Sequence, residues 1–419
     1  MPKLNYFDIF VPGGFPRHTY NPRSSLNLEE RLVEVRQNLC KLVTVTGHTK
    51  SGKTVLARKI LPPEDCVWID GGLVGEEKDL WDLIIEQLSL FQTTQAQEQT
   101  EISGSTGGKA ATEGSILVAK ISGEVTGSVG GKISNSETSG QQLTSRVAAV
   151  QGLRQSRTPL VIDDFHYLSK ELQGNIVRAL KPLVFDGLPV VVIAIPHRRY
   201  DALKVEREMT GRLASIEIPP WDDYELGYIS RTGFDLLNRV LDGSVGRRLV
   251  HEAIGSPHLM QDFCRTLCKQ KHVESTTEQE VLAVTDEELN AVFKDVAETI
   301  GRPIFEKLAR GPRQRADRIQ RTLKDNSSVD IYGLVLHALA HIRPGLITLE
   351  YEDLRTAIKE VSLGETPQLH EVARVLKHMA TIAATDESST PVIDFEETEK
   401  KLHITDPFFA FYLRWGNLN

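Results

Sequence analysis

The sequence predicts an α/β fold: a parallel sheet covered by helices and built around a phosphate-binding loop, followed by a helical lid and a C-terminal winged-helix domain. Three observations predict it. Between Lys41 and Ile218, short β-branched runs alternate with helical patterns, the signature of parallel strands joined by crossover helices. Directly after the first run stands Gly47-His-Thr-Lys-Ser-Gly52-Lys53-Thr54, a full match to GxxxxGK followed by Ser or Thr, with a strand before it and a helix after it. Beyond Ile218 the hydrophobic period becomes helical.

Residues 1–40 read as an irregular lead punctuated by Pro and Gly (VPGGFPRHTYNPRSS) and then a helix, LEERLVEVRQNL, with Asn27 as its N-cap. The core spans 41–220. Its strands are LVTVT (42–46), CVWID (66–70), PLVID (159–163), VVVIAI (190–195) and ASIEI (214–218), apolar on both faces as central parallel strands are. A stretch rich in Gly, Ser and Thr, 101–140, interrupts this core. Its composition reads as a disordered loop. Yet 121–134 alternates with period two, Ile121, Val125, Val129 and Ile133 sharing a face with glycines between them. That is the pattern of one or two exposed strands that order in an assembly. A membrane-inserting hairpin is a third reading, against which stands an apolar face made mostly of glycine. Residues 221–283 read as a helical lid that includes the turn GSPHLMQDFCRTLC. The remainder, 284–419, reads as a helical linker and a winged helix: IYGLVLHALAHI, YEDLRTAIKEV and PQLHEVARVLKHMATIA as helices, PVIDFEE and KLHIT as the strands of a wing.

Composition bounds the function. A chain of 419 residues suggests two to three domains, at roughly 150 residues each. With 40% hydrophobic and 25% charged residues it is neither disordered nor fibrous. The longest strongly apolar run, Leu188–Pro196, falls far short of the ~20 residues a membrane helix needs. The opening MPKLNYFDIFVPGG lacks the pattern of a secretory signal, so the expected location is the cytoplasm. Four cysteines (Cys40, Cys66, Cys264, Cys268) form neither a disulfide framework nor a metal knuckle and are expected to be reduced core thiols. Lys and Arg total 49 against 57 Asp and Glu, a net charge of -8, so any nucleic-acid contact must come from a local patch.

The phosphate loop carries the chemistry. Its glycines let backbone N–H groups turn around phosphates, and the helix that opens at its end adds partial positive charge. Gly47, His48, Thr49, Lys50, Ser51, Gly52, Lys53, Thr54 and Val55 are therefore the expected nucleotide-binding residues, with ATP and Mg²⁺ as cofactors. Lys53 is placed on the β and γ phosphates and the Thr54 hydroxyl on the metal; for Lys50 the other reading is simple solvation. The strand PLVID ends in Asp163 and Asp164, with Asp163 assigned to Mg²⁺. Asp164 stands where many hydrolytic ATPases carry a longer glutamate that polarises water, so hydrolysis is expected to be slow. The alternative is that both carboxylates cap the following helix. His197, Arg198 and Arg199 follow the strand at 190–195, where a cation either senses the γ-phosphate or is solvated surface. Gly211-Arg212 precedes the edge strand, from which an arginine either reaches a neighbouring subunit's nucleotide or forms a surface salt bridge.

Taken in order, the loop at 47–54, LVIDD at 160–164, the polar-tipped strand at 190–199, Arg212, GSPHL at 255–259 and the ending ITDPFFAFYLRW at 404–415 resemble the AAA+ and STAND P-loop ATPases, in the prokaryotic branch that includes replication-initiator-like ATPases with a C-terminal winged helix. The resemblance covers roughly residues 20 to 419 apart from the insert. It implies that Tyr20 to Arg23 lie along the adenine, that the turn bearing Gly255 and Pro257 approaches the base, and that His258 takes part in lid sensing. GSPHL lacks the arginine that many AAA+ proteins place there, which together with Asp164 fits a slow switch better than a fast motor.

The resemblance implies an oligomerising switch that works with a protein effector, in a setting such as prokaryotic antiviral defence. The alternative is a DNA-binding ATPase of replication or transposition type. DNA contact would run through the third winged-helix helix (Arg374, Lys377, His378) or through 310–324, where Arg310, Arg313, Arg315, Arg318, Arg321 and Lys324 outnumber Asp317. The latter stretch also reads as a solvated helix face. A metabolic P-loop kinase is disfavoured because no acceptor-site motif is visible.

Overall fold

The computed structural model describes residues 3–89, 135–195, 211–312, 318–345, 348–384, 391–396 and 399–418, with side chains from 145 onward in the second stretch. The chain divides into two compact units: Asn27–Thr46 with Leu56–Glu217, and Met1–Leu26 with Gly47–Val55 and Ile218–Asn419.

The first of these units is built on a five-stranded parallel sheet of β1 (Leu42–Gly47), β2 (Val67–Asp70), β3 (Leu160–Asp163), β4 (Val190–Ala194) and β5 (Leu213–Ile218), in the order β2-β3-β4-β1-β5. Each strand lies within one residue of the sequence reading at either end. The β-branched runs explain this: Leu42, Leu160, Ile162, Val190 and Val192 share one core with Trp81, Ile84, Leu153, Ile176 and Leu180 from the covering helices. Val43, Val45, Val161 and Val191, on the opposite face, are buried as well. Each such side chain contributes roughly 1.5–3 kcal/mol on burial. Parallel pairing puts the carboxyl ends of all strands on one edge, where β3 ends at Asp163 and β1 runs into the phosphate loop.

Several local expectations are corrected. The helix after Asn27 stops at Val33 and tightens into a 3₁₀ turn, Glu34–Arg36, which buries Val35 three residues after buried Leu32. Asn27 itself is left-handed, at φ 49°, and makes no side-chain cap bond. Within the 101–140 insert, the alternating stretch 121–134 lies outside the described residues, whereas 135–140 open the helix Asn135–Ser156. The helix Lys170–Phe185 is capped by Ser169, whose hydroxyl accepts from Leu172 N at 3.3 Å, so neither Asp163 nor Asp164 is its cap. All four cysteines are free; three are buried, but Cys40 is only half-buried, in a left-handed turn ahead of β1.

In the other unit, helices Asp223–Leu236, Gly243–Glu252 and Pro257–Gln270 are joined by a small parallel ladder of β6 (Arg239–Leu241) and β7 (Glu280–Leu282) that sequence reading missed. One core runs from these helices through Asp286–Ile300 to the C-terminal helix Pro407–Trp415, with Phe263, Phe293 and Phe411 in mutual ring contact and Trp415 against Phe293. Buried Glu252 accepts from Trp415 Nε1 at 2.8 Å and Arg414 Nη1 at 3.3 Å. The stretch read as GSPHLMQDFCRTLC is a turn only up to Ser256, which caps a helix whose first residue is Pro257.

Helices Ile331–Ile342, Tyr351–Val361 and Leu369–Ala384 occur as expected. An antiparallel sheet follows them, with β10 (Thr348–Glu350) added to β11 (Ile393–Glu396) and β12 (Lys401–Ile404) in the order β10-β12-β11. The basic stretch 310–324 is not one helix face. Its helix ends at Arg310, and Arg321 lies in β8 (Arg321–Thr322), which pairs with β9 (Ser328–Val329). Arg310, Arg318 and Arg321 pair with Glu306, Asp330 and Glu371 respectively, while Arg313 and Arg315 lie outside the described residues. Among the described residues, no helix is long and apolar enough to cross a membrane.

Candidate nucleotide site

β1 delivers the chain into the loop at Gly47, where a side chain would meet Ile218 O at 2.8 Å and Ser51 Oγ at 2.9 Å, so only glycine fits. Gly52, at φ 93°, supplies the left-handed step into the helix Lys53–Ile60. Lys53 is nearly buried, and its ammonium donates to the loop's own carbonyls, Gly47 O at 3.0 Å and His48 O at 2.7 Å. The Thr49 and Ser51 hydroxyls are buried with no hydrogen-bond partner. Such groups are costly unless a ligand meets them, and an oxyanion accepting from hydroxyls and ammonium is the chemistry they fit.

The surroundings of the loop were only partly foreseen. Trp221 Nε1 donates to Ser51 O at 3.0 Å. Lys50, left-handed at φ 61°, holds its ammonium 5.4 Å over the ring of Phe408, at the start of the C-terminal helix. Phe408 also meets the His258 ring edge-on at 4.9 Å. Asp406 is buried, caps this helix by accepting from Phe409 N at 2.9 Å, and has its pKa raised by burial against the opposing pull of that bond and of Lys50. Burial, aided by the Lys50 charge, pushes the His258 imidazole down to about 4. Burial raises Asp262, whose Oδ2 lies 3.5 Å from His258 Nε2, to about 6. The two groups are thus both neutral near pH 5. Gly13 of the N-terminal lead lies against the same imidazole. Trp221, Asp406 and Phe408 carry no periodic signal. The Asp-Pro-Phe of the ending was visible only as part of a resemblance.

Tyr20 stacks on Phe15 with ring centroids 6.2 Å apart. The buried Arg23 guanidinium donates to Pro219 O and Pro220 O, each at 3.0 Å, pairs with Glu225 at 2.7 Å and covers the Trp221 ring at 4.9 Å, while its Nε is buried without a hydrogen-bond partner. These bonds brace the chain at 219–225.

On the sheet unit, Asp163 Oδ1 accepts from Asp164 N at 2.9 Å, and Asp164 is left-handed at φ 49°. Asp70 stands in register with Asp163 on the neighbouring strand. Tyr167 feels the whole group: burial first, then Asp164, Asp70 and Asp163, push its phenol up to about 12. The edge is acidic, but among the described residues no group of three or more Asp, Glu, His or Cys side chains is placed to hold a metal ion; Asp70 was readable as the terminal carboxylate of VWID. Arg212 sits at the amino end of β5, with its guanidinium 4.8 Å over the exposed Phe185 ring. His197, Arg198 and Arg199 lie outside the described residues.

No protein-family model matches the sequence, and no curated protein matches it. Among solved structures, the chain is similar to the Walker-type ATPase PABY2304 of Pyrococcus abyssi, at 17% identity and a TM-score of 0.56, over 97% of this chain and 99% of that one. The fold is that of a Walker-type P-loop ATPase. Two further structures are similar: the Aeropyrum pernix ORC2 protein (15% identity, 97% and 95% covered, TM-score 0.48) and a STAND protein with a tetratricopeptide-repeat sensor, PH0952, from Pyrococcus horikoshii (14% identity, 94% and 42% covered, TM-score 0.37). The loop at 47–54 falls at a strand-to-helix junction, between β1 and the helix Lys53–Ile60.

Proposed function

We propose that the chain binds ATP at residues 47–55, hydrolyses it slowly, and works as an oligomerising nucleotide switch coupled to a protein effector. The observation that carries the ATP reading is the pair of buried, partnerless hydroxyls on Thr49 and Ser51 beside the Lys53 ammonium. In this reading Lys53 exchanges its two loop carbonyls for phosphate oxygens, the stronger, charge-assisted partners. Mg²⁺ is assigned to the Thr54 hydroxyl and the Asp163 carboxylate, and when bound it neutralises phosphate charge. Asp164 is assigned to the attacking water, Pro257 and His258 to the lid side of the nucleotide, and Arg198 and Arg212 to phosphate sensing in cis and in trans.

The contact of Lys50 with Phe408 supports the switch reading. A cation inside the phosphate loop rests on the start of the C-terminal helix, so an anion that draws Lys50 inward weakens that contact. The order of helices and strands over 331–404 supports a winged helix as the module that carries the response, within a setting such as antiviral defence. A DNA-binding role has less support, because Arg310, Arg318 and Arg321 are engaged by the chain's own carboxylates.

Isothermal titration tests the central reading. Lys53→Ala is expected to weaken ATP binding about 100-fold or more through loss of a charged donor to phosphate. Undiminished affinity in this variant overturns it. Turnover stimulated by duplex DNA in a salt-dependent manner returns the DNA-binding alternative.

A further inference from the structure

We propose that Trp221 is a positioning residue for the phosphate loop: its indole N–H holds the Ser51 carbonyl turned outward while phosphates occupy the inside, and so ties the first lid helix to the loop. This rests on the phosphate reading above. A loop that turns successive N–H groups toward an anion turns carbonyls away from it, and each carbonyl withdrawn from water needs a donor of its own. Gly47 O and His48 O accept from Lys53, the very group a triphosphate competes for, and His48 O accepts from Ser51 N as well, at 3.2 Å. Ser51 O takes its donor from Trp221, at 3.0 Å, and this bond does not depend on Lys53.

Trp221 is anchored on both sides. Ahead of it, Arg23 forks onto Pro219 O and Pro220 O while covering the indole face. Behind it, Asp222 caps the helix Asp223–Leu236 in a reciprocal capping box, accepting from Glu225 N at 2.7 Å while Glu225 Oε2 accepts from Asp222 N at 3.0 Å. Glu225 in turn pairs with Arg23. The donor is therefore part of a closed network that joins the N-terminal lead, the lid helix and the loop. Phosphates inside the loop hold its N–H groups inward and its carbonyls outward, the geometry in which Ser51 O meets the Trp221 indole. The bond thus favours the bound geometry more than the free one.

Trp221→Phe keeps the ring under Arg23 and removes only the donor. ATP and ADP are expected to bind about tenfold more weakly, the cost of one buried carbonyl left unmet, with little change in melting temperature in the absence of nucleotide. In the unaltered protein carrying ¹⁵N-indole tryptophan, the Trp221 N–H is expected to exchange with solvent more slowly when ADP is added. Its resonance is assigned from Trp221→Phe or, should that variant not fold, from Trp68→Phe, Trp81→Phe and Trp415→Phe. If the unaltered protein binds ATP and Trp221→Phe binds it equally, or if the indole exchange ignores nucleotide, Trp221 is only a packing residue and the proposal is overturned. If the unaltered protein binds no ATP, the phosphate reading itself falls.

Discussion

Single residues set both the chemistry and its pH range. Asp164 is one methylene shorter than the glutamate that commonly orients the attacking water, and its left-handed backbone is fixed by a close approach to Gly71, whose Cβ would lie 2.5 Å from Asp164 O. Asp164→Glu is expected to raise the ATPase rate and Asp164→Ala to lower it; an unaltered rate faster than ~10 s⁻¹, about the enzyme median, contradicts a slow switch. His258 and Asp262 oppose one another. With its pKa at about 4 in the fold against 6.5 ordinarily, His258 gains a proton on unfolding between those values, so it lowers stability as pH falls through that window. Asp262, at about 6 against 3.8, loses a proton on unfolding, so its contribution declines as pH rises from about 4 to 6. The two slopes cancel between about pH 4 and 6. Urea unfolding across that range is expected to show His258→Gln losing stability, and Asp262→Asn gaining it, by about 2–3 kcal/mol as pH rises. Parallel pH profiles in the two variants would show that burial does not keep both groups neutral.

At the scale of elements, the strands of the parallel sheet were legible because β-branched runs must be buried on both faces, and the helices because their apolar stripes face one core. Strands of two or three residues, such as β6, β8 and β10, were not, since so short a run has no measurable period. The loop at 47–54 was legible for a different reason: its glycines, Lys53 and Thr54 recur at a fixed spacing directly after a strand. The residues that fasten the loop to its surroundings, Trp221 and Phe408, act singly and leave no pattern, and the buried ion pair of Arg23 with Glu225 joins residues too distant in sequence to be read together. The same holds for Glu252, on the helix Gly243–Glu252, which meets both Arg414 and Trp415 of the C-terminal helix. Glu252→Ala strands a guanidinium that is mostly buried, at a cost of about 3 kcal/mol. The expected drop in unfolding free energy, measured by denaturant titration, should be largely restored by Glu252→Gln, which keeps an acceptor for the Trp415 indole. A loss below about 1 kcal/mol, in the range of an exposed pair, would make the link peripheral.

For the whole molecule, the open question is whether one copy suffices. Arg212 makes its described side-chain contact with Phe185, a ring 62% exposed at the surface of the sheet unit, and a cation resting on an exposed aromatic is held by only about 0.5–1 kcal/mol. Such an arginine is cheaply recruited by a phosphate on a neighbouring copy. Arg212→Ala is therefore expected to lower ATPase activity while leaving ATP affinity unchanged, because a copy's own loop is intact. Lys53→Ala removes the loop's function but leaves Arg212 to serve a neighbour. Mixed in one assembly, the two impaired variants place some intact loops beside intact arginines, and activity should rise above that of either variant alone as the ratio is varied, with a maximum at intermediate mixtures. Light scattering on the same samples, with ADP, with a non-hydrolysable ATP analogue and with neither, checks that particles larger than a monomer form. A monomeric mass in every nucleotide state, with no recovery at any ratio, would confine Arg212 to its resting place on Phe185 and make the nucleotide response a property of the single chain.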